Sequence, residues 1–186
     1  MKIRLADDIV YDSIVDGPGV RAVIFTQGCI HNCVGCHNPN THSFKGGIMY
    51  DTNDINFKLS LLEGQDGITI SGGEPFLQVD ACLEIAMFAK ERNINIWCYT
   101  GFTFEQLISL GKLDEKYLLL LRCIDVLVDS KFKLEEKSYD LLYKGSRNQR
   151  IIDVRASIEN EKVIELDQYN NNIELHLYNK PDYMFM

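Results

Sequence analysis

No run of apolar residues approaches the roughly eighteen that a membrane-spanning helix needs, although 46% of the 186 residues are apolar. The N-terminal stretch "MKIRLADDIVYDSIVDG" has charges scattered through it rather than a positive end followed by an apolar stretch, so it does not read as a secretory signal. A cytoplasmic protein is expected, with no membrane partner. An excess of positive charge is missing as well. The 19 Lys and Arg are outnumbered by 27 Asp and Glu, for a net charge of −8, and no basic stripe stands out. The average surface would repel a polyanion, so a nucleic-acid partner is not expected. Nor is there a GxGxxG turn, a Walker-type phosphate loop or a Ser/His/Asp arrangement at motif spacing. Their absence argues against dinucleotide, nucleoside-triphosphate and hydrolase chemistry.

Charged residues make up 25% of the chain, and its length suits one domain with a core of its own. Short Val- and Ile-rich runs at 21–27, 67–71, 94–101, 124–130 and 150–154 read as strands. Between them, Ile55, Leu59 and Leu62 share one helical face after a Thr or Asn cap. Val79, Leu83, Ala86 and Ala89 share another, and "TFEQLISL" through "KYLLLLR" is mostly helical. Strands alternating with helices predict an α/β fold whose parallel sheet is covered by helices. About five or six mostly parallel strands would form a partial, open (β/α) barrel, since a closed eight-unit barrel takes roughly 250 residues. This domain is expected over 1–157. The extension 158–186, which includes His176, reads as a short hairpin around an Asn-rich turn, packed on the same domain.

Six cysteines are present, and the expected compartment opposes disulfides. Cys82, Cys98 and Cys123 sit singly in apolar stretches and read as buried hydrophobes. Cys29, Cys33 and Cys36 are clustered in "GCIHNCVGCHNP", and thiolates this close together bind a soft metal or an iron–sulfur cluster. One candidate is a structural zinc, with His31, His37 or His42 as fourth ligand. The other is a [4Fe-4S] cluster held by three cysteines, with one iron left open for a small molecule. The absence of a second Cys pair and the position of the loop, just after a strand of a parallel sheet, weigh against zinc.

In such sheets the chemistry gathers at the carboxyl ends of the strands. "SGGEPF" follows the strand at 67–71, "YTG" closes the next and "DSK" the one after, so four loops are expected to converge on one site. Gly72 and Gly73 free the backbone to approach a ligand, and Glu74 can receive a cation or an amino group. Two glycines and an acid suit the head of an amino-acid-like ligand. Asp129 and Lys131, two residues apart on a strand end, are expected on one face. "DGPGVR" (16–21) reads as a turn, and "KGSRNQR" (144–150) offers donors from Ser146, Arg147, Asn148 and Gln149.

Together, Cx3Cx2C after one strand, GGEP after the next and repeated βα units resemble the radical S-adenosylmethionine superfamily. Within it, "IVDGPGVR", "QGCIHNCVGCHNP", "SGGEPF", "IWCYTGF", "IDVLVDSKF" and "YKGSRNQRIIDV" resemble, in order and spacing, the activating proteins of anaerobic ribonucleoside-triphosphate reductase. The resemblance runs from about residue 8 to 157. It implies that Cys29, Cys33 and Cys36 ligate three irons of a [4Fe-4S] cluster and that S-adenosylmethionine chelates the fourth. It further implies that Gly72, Gly73 and Glu74 contact the methionine part, with Gly35, Cys36 and His37 beside the adenine or ribose. Asp129 and Lys131 would lie beside the cofactor or a bound cation. A flavodoxin- or ferredoxin-like donor would supply the electron that cleaves the sulfonium. The resulting 5′-deoxyadenosyl radical would then take a hydrogen from a glycine of the reductase.

One position departs from the superfamily pattern. Many members carry an aromatic residue just before the third cysteine, packed near adenine, where this chain has Gly35. His37 is expected to supply the flat face instead. Three rival readings remain: an activase of another glycyl radical enzyme such as pyruvate formate-lyase, a superfamily enzyme acting on a small molecule, and a zinc-stabilised binding module.

Overall fold

The computed structural model describes residues 1–170. Eight strands form one sheet: β1 (Lys2–Leu5), β2 (Val10–Ser13), β3 (Arg21–Thr26), β4 (Ile48–Asp51), β5 (Gly67–Gly72), β6 (Ile96–Tyr99), β7 (Val126–Asp129) and β8 (Arg150–Asp153). The helices are α1 (Thr52–Ser60), α2 (Val79–Glu91), α3 (Phe104–Gly111), α4 (Glu115–Cys123), α5 (Val154–Glu159) and α6 (Asp167–Asn170). The strand order is β4-β1-β3-β5-β6-β7-β8, with β2 also paired to β3.

β3, β5, β6 and β7 are mutually parallel, as their sequences predict. β8 differs from expectation, because it pairs antiparallel with β7 in the register Asp129↔Arg150. A parallel partner would need a crossover to the opposite end of the sheet, usually by a helix. Residues 130–149 contain only a single 3-10 turn, Leu134–Glu136, so the chain doubles back at the end where it left β7. β1, β2 and β4 are antiparallel additions on the other side.

Alternate residues of the parallel strands enter two apolar layers, which explains their nearly unbroken apolar sequences. Ala22, Ile24, Ile68, Ile70, Ile96, Cys98 and Leu127 pack against the helices, meeting Ile55, Leu59, Ile85, Leu107 and Leu120. α1 is capped by Asp51, whose side chain accepts from Asn53 N, rather than by the Thr or Asn expected. α2 buries Val79, Cys82, Ile85, Ala86 and Ala89, while Leu83 is only half-buried. Cys82 and Cys98 are fully buried, and burial pushes the Cys82 thiol up to about 12 and the Cys98 thiol well above its ordinary value. Thiols so disfavoured as thiolates are inert packing groups.

The opposite layer centres on Trp97, Val128 and Ile151. Trp97, Tyr143 and Tyr169 meet edge-to-face in all three pairs, at 5.5–5.6 Å. Arg21 is buried here, donating from Nε to Thr69 Oγ1 at 2.7 Å and from Nη2 to the Ile68 carbonyl at 2.5 Å. "DGPGVR" thus serves as the turn that enters β3, at the strand end away from the cysteines. The first arm of the expected C-terminal hairpin makes one antiparallel bridge, Ile152↔Glu165, and continues as the helical turn α6. Asn170 ties that turn to the backbone of Ile151. The second arm, with His176, lies outside the described residues. Among the described residues no helix is long and apolar enough to cross a membrane.

Candidate active site

The three clustered cysteines follow β3 on a loop clamped at its base. Gly28 N donates to the Thr41 carbonyl (2.8 Å) and Cys29 N to that of His42 (3.2 Å). The buried Gln27 amide donates to the Asn40 and Ser43 carbonyls at 3.0 and 2.6 Å. The loop turns at Asn32 and Gly35, with φ of 48° and 75°. A Cβ at Gly35 would stand 2.9 Å from Leu134 Cδ1 and 3.4 Å from Phe132 Cε1. The left-handed φ strains any side chain at this position, and a Cβ there would press on the ends of the Leu134 and Phe132 side chains.

The glycine pair after β5 lies directly against this loop. Gly73 N donates to the Thr26 carbonyl at 2.7 Å and Glu74 N to that of Gly28 at 2.9 Å. A Cβ on Gly73 would come within 2.8 Å of the Gly28 carbonyl carbon and closer still to its oxygen. One on Gly72, where φ is 102°, would stand 2.5 Å from Thr26 N. Both glycines are required because two strand ends touch backbone to backbone.

All three cysteines line one cavity, together with Ser71, Gly72 and Gly73 at the end of β5, Tyr99, Thr100 and Gly101 at the end of β6, Ser130, Lys131 and Phe132 just after β7, and His42 and Gln149. Four strand ends do converge. The thiols are free, and burial pushes those of Cys29 and Cys33 up, with neighbouring Cys36 adding to the shift at Cys33. Burial thus disfavours the thiolate forms of Cys29 and Cys33, and metal uptake there would release protons. Among the described residues no three His, Cys, Asp or Glu side chains gather tightly enough to hold a single metal ion. Three cysteines lining one cavity are the soft donors that an iron–sulfur cluster takes.

A family model described as "4Fe-4S single cluster domain" matches residues 15–152. The chain is also similar to curated proteins named anaerobic ribonucleoside-triphosphate reductase-activating protein. The Haemophilus influenzae protein is 34% identical over 149 residues, 74% of this chain and 90% of the relative. That of Vibrio cholerae is 36% identical over 148 residues, 74% and 90% respectively. The protein of Enterobacteria phage T4 is 32% identical over 151 residues, 78% and 91%. The chain belongs to this activating-protein family.

Within the framework of this activating-protein family, several expected site residues sit elsewhere than the sequence suggested. Glu74 is fully buried and is not part of the cavity wall. Its Oε1 accepts from Thr100 Oγ1 (2.8 Å) and Phe76 N (3.1 Å), and its Oε2 from Gly101 N (2.8 Å) and His31 Nε2 (2.8 Å). Asp129 and Lys131 are not on one face. Ser130 between them has φ of 79°, which breaks the two-residue alternation of a strand. Lys131 lines the cavity, whereas Asp129 is buried against Arg150, with Nε at 3.0 Å and Nη2 at 2.5 Å, and accepts from Phe104 N at the start of α3. His37 is exposed and rests on the Phe132 ring at 5.1 Å, and it is Phe132 that reaches the cavity. Of "KGSRNQR", only Gln149 lines it. Ser146 is buried, Asn148 donates to the Lys131 carbonyl and Arg147 to Ser138 Oγ. Gln149, a candidate donor in the sequence, does line the cavity, whereas Phe132 and Thr100 are not singled out by the sequence although each stands inside a quoted motif.

The Asp129–Arg150 pair carries two predictions. Arg150→Met leaves the buried carboxylate without its counter-charge and is expected to cost about 3–5 kcal/mol, measured as a lowered urea midpoint. Arg150 also holds Glu105, lowering its carboxyl from 4.5 to about 2 through a bidentate contact at 2.9–3.0 Å. A carboxyl depressed by folding stabilises above its unfolded pKa, and this contribution is lost as pH falls from about 4.5 towards 2. Glu105 is largely exposed, so Glu105→Gln is expected to cost less than about 1 kcal/mol at pH 7. The difference from the parent should shrink below pH 4.5 and vanish only below about pH 2 in paired denaturation curves.

Proposed function

We propose that this chain activates anaerobic ribonucleoside-triphosphate reductase by forming a glycyl radical on it, using a [4Fe-4S] cluster and S-adenosylmethionine. The observation that carries the reading is the single cavity in which Cys29, Cys33 and Cys36 face Gly72 and Gly73 across the mouth of four parallel strands. When bound, the cluster and S-adenosylmethionine supply a reductive cleavage to methionine and a 5′-deoxyadenosyl radical, which takes a hydrogen from a glycine of the reductase.

In this reading Cys29, Cys33 and Cys36 hold three irons and leave one coordination site to the ligand. The backbone of Gly72 and Gly73, bare of side chains, lets the amino-acid end of S-adenosylmethionine approach. Lys131 offers a positive charge to a carboxylate or ribose, and Phe132 offers the flat apolar face that Gly35 cannot, with His37 backing it. Asp129 and Glu74 act behind the cavity wall rather than on the ligand. The sheet is open at β4 and β8, and we read it as a partial barrel over 1–157 whose open side admits a peptide loop. A flavodoxin- or ferredoxin-like protein supplies the electron, and the reaction takes place in the cytoplasm.

The test is anaerobic reconstitution followed by reduction with S-adenosylmethionine and the reductase present. Electron paramagnetic resonance is expected to show a reduced-cluster signal, then a glycyl doublet on the reductase. Zinc uptake without iron and without cleavage of S-adenosylmethionine would sink the reading. Cleavage with no glycyl signal would move the substrate elsewhere.

A further inference from the structure

Glu74 is a fully buried carboxylate that the proposed function leaves without a task. Its four donors come from three separate motifs. His31 lies between the first two cysteines, Phe76 N belongs to its own turn, and Thr100 Oγ1 with Gly101 N closes the "YTG" end of β6. The His31 side chain is 6% exposed and packs edge-on against Phe102, with centroids 4.8 Å apart. Its ring occupies the space that a Cβ on Gly101 would take, so glycine at that position is what admits the histidine. Thr100 Oγ1 in turn accepts from Phe102 N at 3.1 Å. A histidine on the cysteine loop, an acid on the glycine turn and a threonine–glycine pair on β6 thus close around one point.

We propose that His31 and Glu74 form a positioning pair that sets where the cysteine loop stands relative to Gly72–Gly73. The inference deepens the proposed function and rests on it for its ligand. Three cysteines can hold a cluster wherever their loop lies, but a ligand that bridges the open iron and the glycine turn binds well only at one separation. The cysteine loop has no regular secondary structure between Gly28 and Asn38. Its base is clamped by the contacts of Gln27, Gly28 and Cys29, its far side packs on Phe132 and Leu134, and His31 joins it by a side-chain hydrogen bond to the glycine turn. A buried carboxylate with four donors is a stiff anchor, since releasing any donor leaves charge under-solvated in a dry site.

The test compares the parent with His31→Phe, which keeps a ring against Phe102 but has no donor, Glu74→Gln, and the double variant. Three quantities are measured: amide hydrogen exchange of the metal-free chain, iron per chain after anaerobic reconstitution, and S-adenosylmethionine affinity by equilibrium dialysis. Each single variant is expected to speed exchange at residues 28–36 and at Gly101 by about tenfold or more, leaving α2 and β5 as in the parent. Iron content is expected to hold, while affinity falls by about ten- to a hundredfold, as for other groups that orient metal ligands. Residues acting through one contact are non-additive, so the double variant should be no worse than the worse single. His31→Gln, whose amide can still donate, should recover much of the loss, which a packing defect would not allow.

Parent-like loop exchange in His31→Phe, or single losses that multiply in the double variant, would overturn the pair. So would uniformly faster exchange across the sheet, which would make Glu74 a residue of the fold alone. Parent affinity in His31→Phe beside weak binding in Glu74→Gln would make Glu74 a direct ligand instead. If the iron-loaded parent binds no S-adenosylmethionine, the proposed function fails, and the exchange measurement alone decides the pair.

Discussion

Replacing any one of Cys29, Cys33 or Cys36 by alanine is expected to abolish both the cluster and S-adenosylmethionine cleavage. The thiols line one cavity, and no further cysteine lines it to substitute for a lost ligand. Cys82 and Cys98 are sealed in the core, and Cys123 ends α4, away from the cavity. Even outer partners of metal ligands are worth about ten- to a hundredfold, so loss of a ligand should exceed that range and reach the background rate. The checks are iron per chain and methionine release under reducing conditions. Cys82→Ala is the comparison: it removes a buried sulfur from the helix-covered core and should lower stability while leaving iron content and cleavage in place. A cluster-cysteine variant that still cleaves would contradict the ligand assignment.

Gly73→Ala should have the second large effect, for a reason of a different kind. The added methyl would collide with the Gly28 carbonyl, which is backbone and cannot rotate away. β5 and the cysteine loop would have to part, stretching the Gly73 N–Thr26 O and Glu74 N–Gly28 O hydrogen bonds. Overpacking of this type costs about 1–3 kcal/mol, and the same displacement should abolish binding at the glycine turn. Gly64→Ala makes the contrast: Gly64 has φ of 87° and nothing within 4 Å of its would-be Cβ. There, backbone strain of about 1–2 kcal/mol is expected, with binding unchanged. Thermal denaturation and equilibrium dialysis on both variants separate collision from strain.

Much of the site is local in sequence, and that portion was legible. Cx3Cx2C places three thiols on one loop whatever surrounds it, and two glycines after a strand signal a close backbone approach. Residues that had to choose a direction were harder to assign. Asp129 and Lys131 share a face only while the strand alternates, and the left-handed turn at Ser130 ends that alternation. Nothing in "DSKF" marks it. His37 and Phe132 meet with their rings tilted by 48°, yet only Phe132 lines the cavity, where Gly35 lets the β7 loop close in over the cysteine loop.

The sequence by itself determined the motifs, their order along alternating strands and helices, the parallel core of β3, β5, β6 and β7, and the family to which the chain belongs. These follow from spacing and periodicity, which act within a few residues. The tertiary structure alone decided that β8 runs antiparallel and that Glu74 and Asp129 are spoken for by protein partners. Those partners lie far off along the chain, His31 43 residues before Glu74 and Arg150 21 residues after Asp129. A buried carboxylate goes where its donors are, because in a dry interior an unmatched charge costs more than any local conformational preference can return.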